Sequence, residues 1–114
     1  IKDNHLKLSK NIKKSIEISR SKYPNLMVEV EADNEQQAIE IAKNGADRVM
    51  LDNFSPDEAT ATIRKLREIS DIEIEISGGV TIENIASYAK KADFISLGSL
   101  TMSSLPVDFS LHVL

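Results

Sequence analysis

Cysteine is absent from this 114-residue chain, which excludes a disulfide framework and thiolate chemistry. No apolar run approaches the roughly 18–20 residues that cross a bilayer, and the longest stretches are interrupted by Glu or Asp. The opening residues, Ile1-Lys2-Asp3-Asn4-His5, lack the apolar segment of a secretory signal. A cytoplasmic location is therefore the expectation, with no membrane partner. Ile1 is not an initiator Met, and the chain is expected to begin inside a larger protein. His5 and His112 have no partners at metal-ligand spacing, so no zinc site is assigned. None of Ser77, Ser99, Ser103 and Ser104 lies in a Gly-x-Ser-x-Gly elbow, and Gly78-Gly79 is not a P-loop because no Gly-Lys-Ser/Thr follows. There is no low-complexity segment and no interdomain linker.

Hydrophobic residues make up 41% and charged residues 28%, the balance of one globular domain with one core. The net charge of −4 is uneven. Residues 1–22 carry seven Lys/Arg against Asp3 and Glu17, whereas the remainder carries seven Lys/Arg and sixteen Asp/Glu. No aromatic residue is interleaved with the early bases, so a stacking platform for nucleic acid is missing, and a solvated helix face is expected there.

From residue 26 the chain repeats a short alternating run, a turn and an amphipathic run. Residues 26–31 (Leu-Met-Val-Glu-Val-Glu) read as a strand. Asp33 or Asn34 then caps a helix with Ala38, Ile39 and Ala42 on one face, closed at Asn44-Gly45. Residues 48–52 form the next strand, and Ser55-Pro56 opens a helix whose stripe is Ala59, Ile63, Leu66 and Ile69. Residues 72–77 are a third strand, followed by Gly78-Gly79, a cap at Thr81 and a helix with Ile82, Ile85, Ala86 and Ala89 on one face. Residues 94–97 are a fourth strand closed by Gly98, residues 11–22 a preceding helix, and residues 106–114 an isolated extended tail.

Strands alternating with helices predict a parallel α/β sheet. Val28 and Val30 share one strand face and Glu29 and Glu31 the other; Ile72, Ile74 and Ile76 oppose Glu73, Glu75 and Ser77. An open parallel sheet covered on both sides is apolar on both faces. A barrel instead puts Val and Ile against outer helices and carboxylates in the lumen. The fold expected is therefore the C-terminal part of a TIM-like α/β barrel, incomplete within this chain, with residues 1–114 as one barrel part. Half a barrel exposes sheet edges, so the isolated piece is expected to be aggregation-prone or molten.

Three signals carry chemistry. Ser77-Gly78-Gly79 and Gly98-Ser99 each follow a strand, where the last two loops of an α/β barrel commonly hold phosphate. Tight turns without ligand are the alternative for either alone. Glu31, Asp52 and Glu75 end or nearly end strands, where carboxylates hold Mg²⁺, bind ribose hydroxyls or stabilise a cationic transition state. For Glu29, Glu73 and Glu75, pairing with a Lys or Arg across the lumen competes with function. Lys2 in Lys2-Asp3-Asn4-His5 suits a carboxylate or phosphate, with a surface turn as its alternative.

Ile1-Lys2-Asp3-Asn4-His5, Val28-Glu29-Val30-Glu31, Gly45-Ala46-Asp47, Leu51-Asp52-Asn53-Phe54, Ser77-Gly78-Gly79 and Leu97-Gly98-Ser99-Leu100-Thr101 occur in this order in quinolinate phosphoribosyltransferases, and the end Val107-Asp108-Phe109-Ser110-Leu111 resembles the end of that family. The resemblance covers nearly the whole chain. It implies transfer of phosphoribosyl from phosphoribosyl pyrophosphate to quinolinate with decarboxylation, giving nicotinate mononucleotide, pyrophosphate and CO₂ in NAD synthesis, with Mg²⁺. It further implies that Lys2 binds a quinolinate carboxylate, that Glu31 and Asp52 are catalytic and handle the ribose, and that Ser77, Gly78, Gly79, Gly98 and Ser99 cradle phosphate. Asp52 is also the implied metal residue, directly or through water or pyrophosphate.

The family's subunit is about twice this long, with an N-terminal sandwich domain, earlier barrel strands and the Arg and His that clamp the ring, none of them in this sequence; an isolated chain is thus expected to be inactive. Family subunits pair as homodimers or larger homo-oligomers. Met102 stands where some members have His, and is read as a packing residue. The competing readings are a paralogous phosphoribosyltransferase for another heteroaromatic acid, a non-catalytic phosphate-binding half-barrel module, and a barrel lyase that needs no pyrophosphate donor.

Overall fold

The computed structural model describes residues 11–89, 91–98 and 110–112. Asn11 starts α1 (Ile12–Lys22) by accepting the Lys14 N–H at 2.9 Å, and the helix buries Ile12 and Ile16. The chain then turns, with the Leu26 N–H on the Tyr23 carbonyl at 3.1 Å. That turn consumes Leu26 and Met27, which are exposed, so β1 runs Glu29–Ala32 and starts three residues later than the alternation suggested. Asn34, rather than Asp33, caps α2 (Glu35–Lys43), which buries Ala38, Ile41 and Ala42. Gly45 takes φ 77° at its end, a conformation open to glycine at little cost.

β2 is Arg48–Asp52. Ser55 opens α3 (Pro56–Ile69) with a full capping box to Glu58, and Ala59, Thr62, Ile63 and Leu66 are buried along it. Those hydrogen bonds to Ser55 also hold the Glu58 carboxyl below its ordinary value. Ile69, expected on the stripe, is exposed. β3 is Glu73–Ser77.

The next helix, α4, spans only Ile85–Tyr88. Thr81 and Asn84 explain its shortness: Asn84 Oδ1 accepts the Thr81 N–H at 2.7 Å, the Asn84 N–H donates to Thr81 Oγ1 at 3.3 Å, and Asn84 Nδ2 donates to the Gly79 carbonyl at 2.9 Å. These local bonds satisfy the backbone in a turn and compete with helix. Ile82, expected on an apolar face, is exposed, while Tyr88 is buried and its hydroxyl donates to the Phe54 carbonyl at 3.0 Å.

The sheet order is β1-β2-β3-β4-β5, with β4 Phe94–Ser96 and β5 Ser110–His112. The first four strands are parallel neighbours in sequence, and β5 pairs antiparallel to β4. The tail expected to be isolated thus contributes a paired strand, while the α/β arrangement of an incomplete barrel is as the sequence implied. Val30, Ala32, Val49, Leu51, Ile74, Ile76 and Ile95 are fully buried on the sheet's helix side and form the core with α2 and α3. Burial of aliphatic side chains on this scale supplies most of the stabilisation.

The strand starts are pinned by a repeated device. Asp47, just before β2, accepts the Val28 N–H at 2.7 Å and Arg20 of α1 at 2.9 Å. Asp93, just before β4, accepts the Ile74 N–H at 2.8 Å and Arg67 of α3 at 2.6 Å. The Val28 hydrogen bond, with that of Arg20, lowers the Asp47 pKa. A carboxyl with a depressed folded pKa stabilises the fold above its unfolded pKa and loses that contribution as pH falls through the folded value. Asp47→Asn is therefore expected to lower the thermal midpoint at neutral pH, with the gap to the parent closing as pH drops below the ordinary Asp range. A gap independent of pH would remove this account of Asp47.

Candidate functional site

The register sets lumen-facing residues in layers. Glu29, Arg48 and Glu73 are partners across β1, β2 and β3; Glu31, Met50 and Glu75 form the next layer, with Phe94 beside Glu75; Asp52 and Ser77 pair above them. Of these acids, Glu29, Glu73 and Glu75 pair with Arg48. Its guanidinium lies 2.7 and 3.0 Å from Glu73 Oε2, 3.4 Å from Glu29 and 3.5 Å from Glu75, and stacks 3.7 Å from the Phe94 ring centroid. Burial opposes the Arg48 charge, but hydrogen bonding to Glu73 and the three carboxylates raise its pKa above the ordinary value. Burial, then the neighbouring Glu75 carboxylate, pushes the Glu29 carboxyl up despite Arg48. Glu75 is buried and also accepts from the Ser96 hydroxyl. The ionic pairing weighed for Glu29, Glu73 and Glu75 is what the structure contains.

The top of the strands is arranged differently. Glu31, Asp33 and Asp52 bring carboxylate oxygens within 4.8 Å of one another, Glu31 and Asp52 half-buried and Asp33 exposed. The expected ring of Glu31, Asp52 and Glu75 is therefore split: Glu75 sits with Arg48, and Asp33 takes its place. Asp33 lies in the loop after β1, beyond the alternation that marks strand faces, so periodicity gave no sign of it. Three carboxylates this close repel, and a hard cation taking oxygen ligands would relieve them.

Beside the acids lies the turn after β3. Gly78 and Gly79 have φ 74° and 66°. A Cβ on Gly78 would clash first with Asn53 Oδ1 and would also come within 2.8 Å of Asn53 Cγ and of Asp52 Oδ1, whereas one on Gly79 would meet nothing within 4 Å. The missing side chain of Gly78 is thus what lets the β3 turn lie against Asp52. Asn53, at φ 56°, donates from Nδ2 to Asp52 Oδ2 at 2.8 Å, and its N–H donates to the Ser77 carbonyl at 2.9 Å. Ser77 is half-buried at the end of β3, and Gly98 is exposed just beyond β4. Lys2 and Ser99, together with Met102, lie outside the described residues.

A cleft of about 380 Å³ opens between the starts of α2 and α3, lined by Asp33, Asn34, Glu35, Asn53, Phe54 and Glu58 among others. Its rim carries Asp33, Glu35 and Glu58, which disfavours an anionic group there. No helix among the described residues is long and apolar enough to cross a membrane.

The chain is similar to known proteins in sequence and fold. A family model described as quinolinate phosphoribosyl transferase, C-terminal domain, matches residues 1–112. Nicotinate-nucleotide pyrophosphorylase [carboxylating] from Homo sapiens is 38% identical over 117 residues, covering 99% of this chain and 39% of that protein. A probable nicotinate-nucleotide pyrophosphorylase [carboxylating] from Archaeoglobus fulgidus is 39% identical over 118 residues, covering 100% of this chain and 45% of that one. Among solved structures, the nicotinate-nucleotide pyrophosphorylase from Francisella tularensis superposes with a TM-score of 0.81 at 30% identity, over 98% of this chain and 38% of the other. The chain thus spans roughly two fifths of the length of these relatives.

Proposed function

The chain belongs to the quinolinate phosphoribosyl transferase family, as its C-terminal domain, and on that footing we propose that the full-length protein carrying it is a pentosyl transferase. It moves phosphoribosyl from phosphoribosyl pyrophosphate to quinolinate and releases CO₂, so that nicotinate mononucleotide and pyrophosphate are the other products, in the service of NAD synthesis. The observation that carries the reading is the juxtaposition of two unlike elements at neighbouring strand ends: the Gly78 turn, whose missing side chain leaves room for the Asp52 carboxylate and the Asn53 amide, beside Glu31. An anion cradle next to an acid pair is what a phosphorylated sugar that becomes cationic at C1 requires.

In this reading Ser77, Gly78, Gly79, Gly98 and Ser99 hold the 5-phosphate through hydroxyl and backbone N–H groups, which glycine allows to approach closely. Glu31 and Asp52 bind the ribose hydroxyls. As the bond from C1 to pyrophosphate breaks, their carboxylates stabilise the oxocarbenium-like charge, and the pyridine nitrogen of quinolinate then bonds to C1. Lys2 pairs with a quinolinate carboxylate. The reaction needs position and charge more than a nucleophilic side chain, in keeping with a chain that has no cysteine.

Mg²⁺ fits the donor set of Glu31, Asp33 and Asp52, three hard oxygen ligands in mutual reach. When bound it supplies positive charge against the pyrophosphate. The ring specificity comes from parts of the full-length protein outside this sequence, and pairing of two such subunits is part of the proposal.

A crystal structure of the full-length protein with nicotinate mononucleotide tests the reading. The phosphate is expected on the N–H groups of the Ser77-Gly78-Gly79 turn, with the ribose hydroxyls toward Glu31 and Asp52. A nucleotide seated elsewhere, for instance in the cleft between α2 and α3, would refute it.

A further inference from the structure

Asn53 is the one non-glycine residue with positive φ among the described residues, at 56°. Left-handed backbone is unfavourable for L-residues, and Asn tolerates it better than most. Glycine would adopt it more readily still, so the turn alone gives no reason for a side chain here. What the side chain does is visible in its contacts. Nδ2 donates to Asp52 Oδ2 at 2.8 Å, and the N–H of the same residue is held by the Ser77 carbonyl at 2.9 Å. A Cβ on Gly78 would come within 2.8 Å of Asn53 Cγ and of Asp52 Oδ1, so the amide and the carboxylate occupy the space that glycine leaves.

We infer that Asn53 is a positioning residue, whose amide holds the Asp52 carboxylate in one orientation against the Gly78 turn. A carboxylate on Cβ rotates in a broad, roughly two-fold well. The Asn53 bond to Oδ2 opposes that rotation, and Oδ1 lies beside the space that a side chain on Gly78 would take. The end of β2, which carries the acid, is joined to the end of β3, before the glycine turn, by the Asn53 N–H on the Ser77 carbonyl, so the orientation is set before substrate arrives. This role rests on the reading above, in which Asp52 stabilises charge on the ribose.

Two substitutions in the full-length protein test it. Asn53→Gly keeps the left-handed backbone and removes the amide. It is expected to leave the thermal midpoint unchanged or raised, since glycine relieves the backbone, while kcat falls about 10–100-fold, the scale on which a misplaced group slows a reaction. KM for the phosphoribosyl donor should change less than kcat. Asn53→Asp keeps shape but replaces the donor with a second carboxylate. A larger loss is expected at neutral pH, with partial recovery as acid restores a donating O–H. An Asn53→Gly enzyme whose kcat stays within about twofold of the parent overturns the inference, as does a loss that merely tracks a lowered midpoint in both variants.

A crystal structure of Asn53→Gly supplies a readout independent of turnover. The Asp52 carboxylate should rotate or spread over two positions while the backbone of residues 52–54 stays in place, and an unmoved carboxylate overturns the inference. If the parent makes no nicotinate mononucleotide, the functional reading fails, and the orientation of Asp52 in the variant still decides the role of Asn53.

Discussion

Asp52→Asn in the full-length protein is expected to lower kcat by about 10²–10³-fold, the range seen when one preorganised electrostatic contact is removed from an active site. The substitution is nearly isosteric, and the new amide oxygen still accepts the Asn53 Nδ2 bond that reaches Asp52 at 2.8 Å. What is lost is one negative charge from the group formed with Glu31 and Asp33. Because those three carboxylates repel in the free protein, the variant should melt at the same temperature or slightly higher. A ligand that binds only the folded state raises the midpoint, so the parent should gain stability on adding Mg²⁺ and the variant should gain less. Steady-state kinetics and thermal melts with and without Mg²⁺ check both halves. A variant that turns over at the parent rate would remove Asp52 from the chemistry. One that loses activity only by unfolding would make it structural.

Gly78→Ala should be as damaging by a different route, and Gly79→Ala is its internal control. Both glycines have positive φ, so each alanine carries the left-handed penalty of roughly 1–2 kcal/mol. Of these two, only at Gly78 does the new methyl also meet atoms, clashing first with Asn53 Oδ1 and lying 2.8 Å from Asn53 Cγ and from Asp52 Oδ1. Those atoms are side-chain ends, and making room for the methyl requires the Asn53 amide and the Asp52 carboxylate to turn away from Gly78. A total destabilisation of about 2–4 kcal/mol is expected for Gly78→Ala, as for other strained or overpacked substitutions. KM for the phosphoribosyl donor should rise at least about tenfold, because the displaced turn no longer presents its N–H groups to phosphate. Gly79→Ala should show the conformational penalty with a smaller change in KM. Equal effects at both positions would mean that the packing of Gly78 on Asp52 carries no function.

Much of this was legible in the sequence because it is written in period-two alternation and in punctuation. Val30 and Ile74 against Glu29, Glu31 and Glu73 announced a sheet with an apolar and an acidic face, and that contrast pointed to a barrel rather than an open sheet. Ser55-Pro56 and Asn44-Gly45 marked helix ends by their own chemistry. A Lys or Arg was expected to pair with Glu29, Glu73 and Glu75; the structure shows that it is Arg48, which alternation through Val49 and Leu51 places on the acidic face.

The remainder depends on tertiary placement. Asp33 reaches Glu31 and Asp52 from a loop, where no period applies. The left-handed turn at Asn53 and the contact of Gly78 with Asp52 exist only once two loops from neighbouring strands meet. The short α4 reflects bonds between Thr81 and Asn84 that a hydrophobic pattern does not register. The antiparallel β5 arises from pairing with β4, a long-range choice that its own residues do not announce.

The central claim is that the strand-end acids and the glycine turn serve phosphoribosyl transfer to a pyridine dicarboxylate. Its most direct test is product analysis with the purified full-length protein, quinolinate, phosphoribosyl pyrophosphate and Mg²⁺. Nicotinate mononucleotide, pyrophosphate and CO₂ are expected in equal amounts, and none of them when the donor is left out. Release of CO₂ without the donor, or no nucleotide from quinolinate under any Mg²⁺ concentration, would contradict the account.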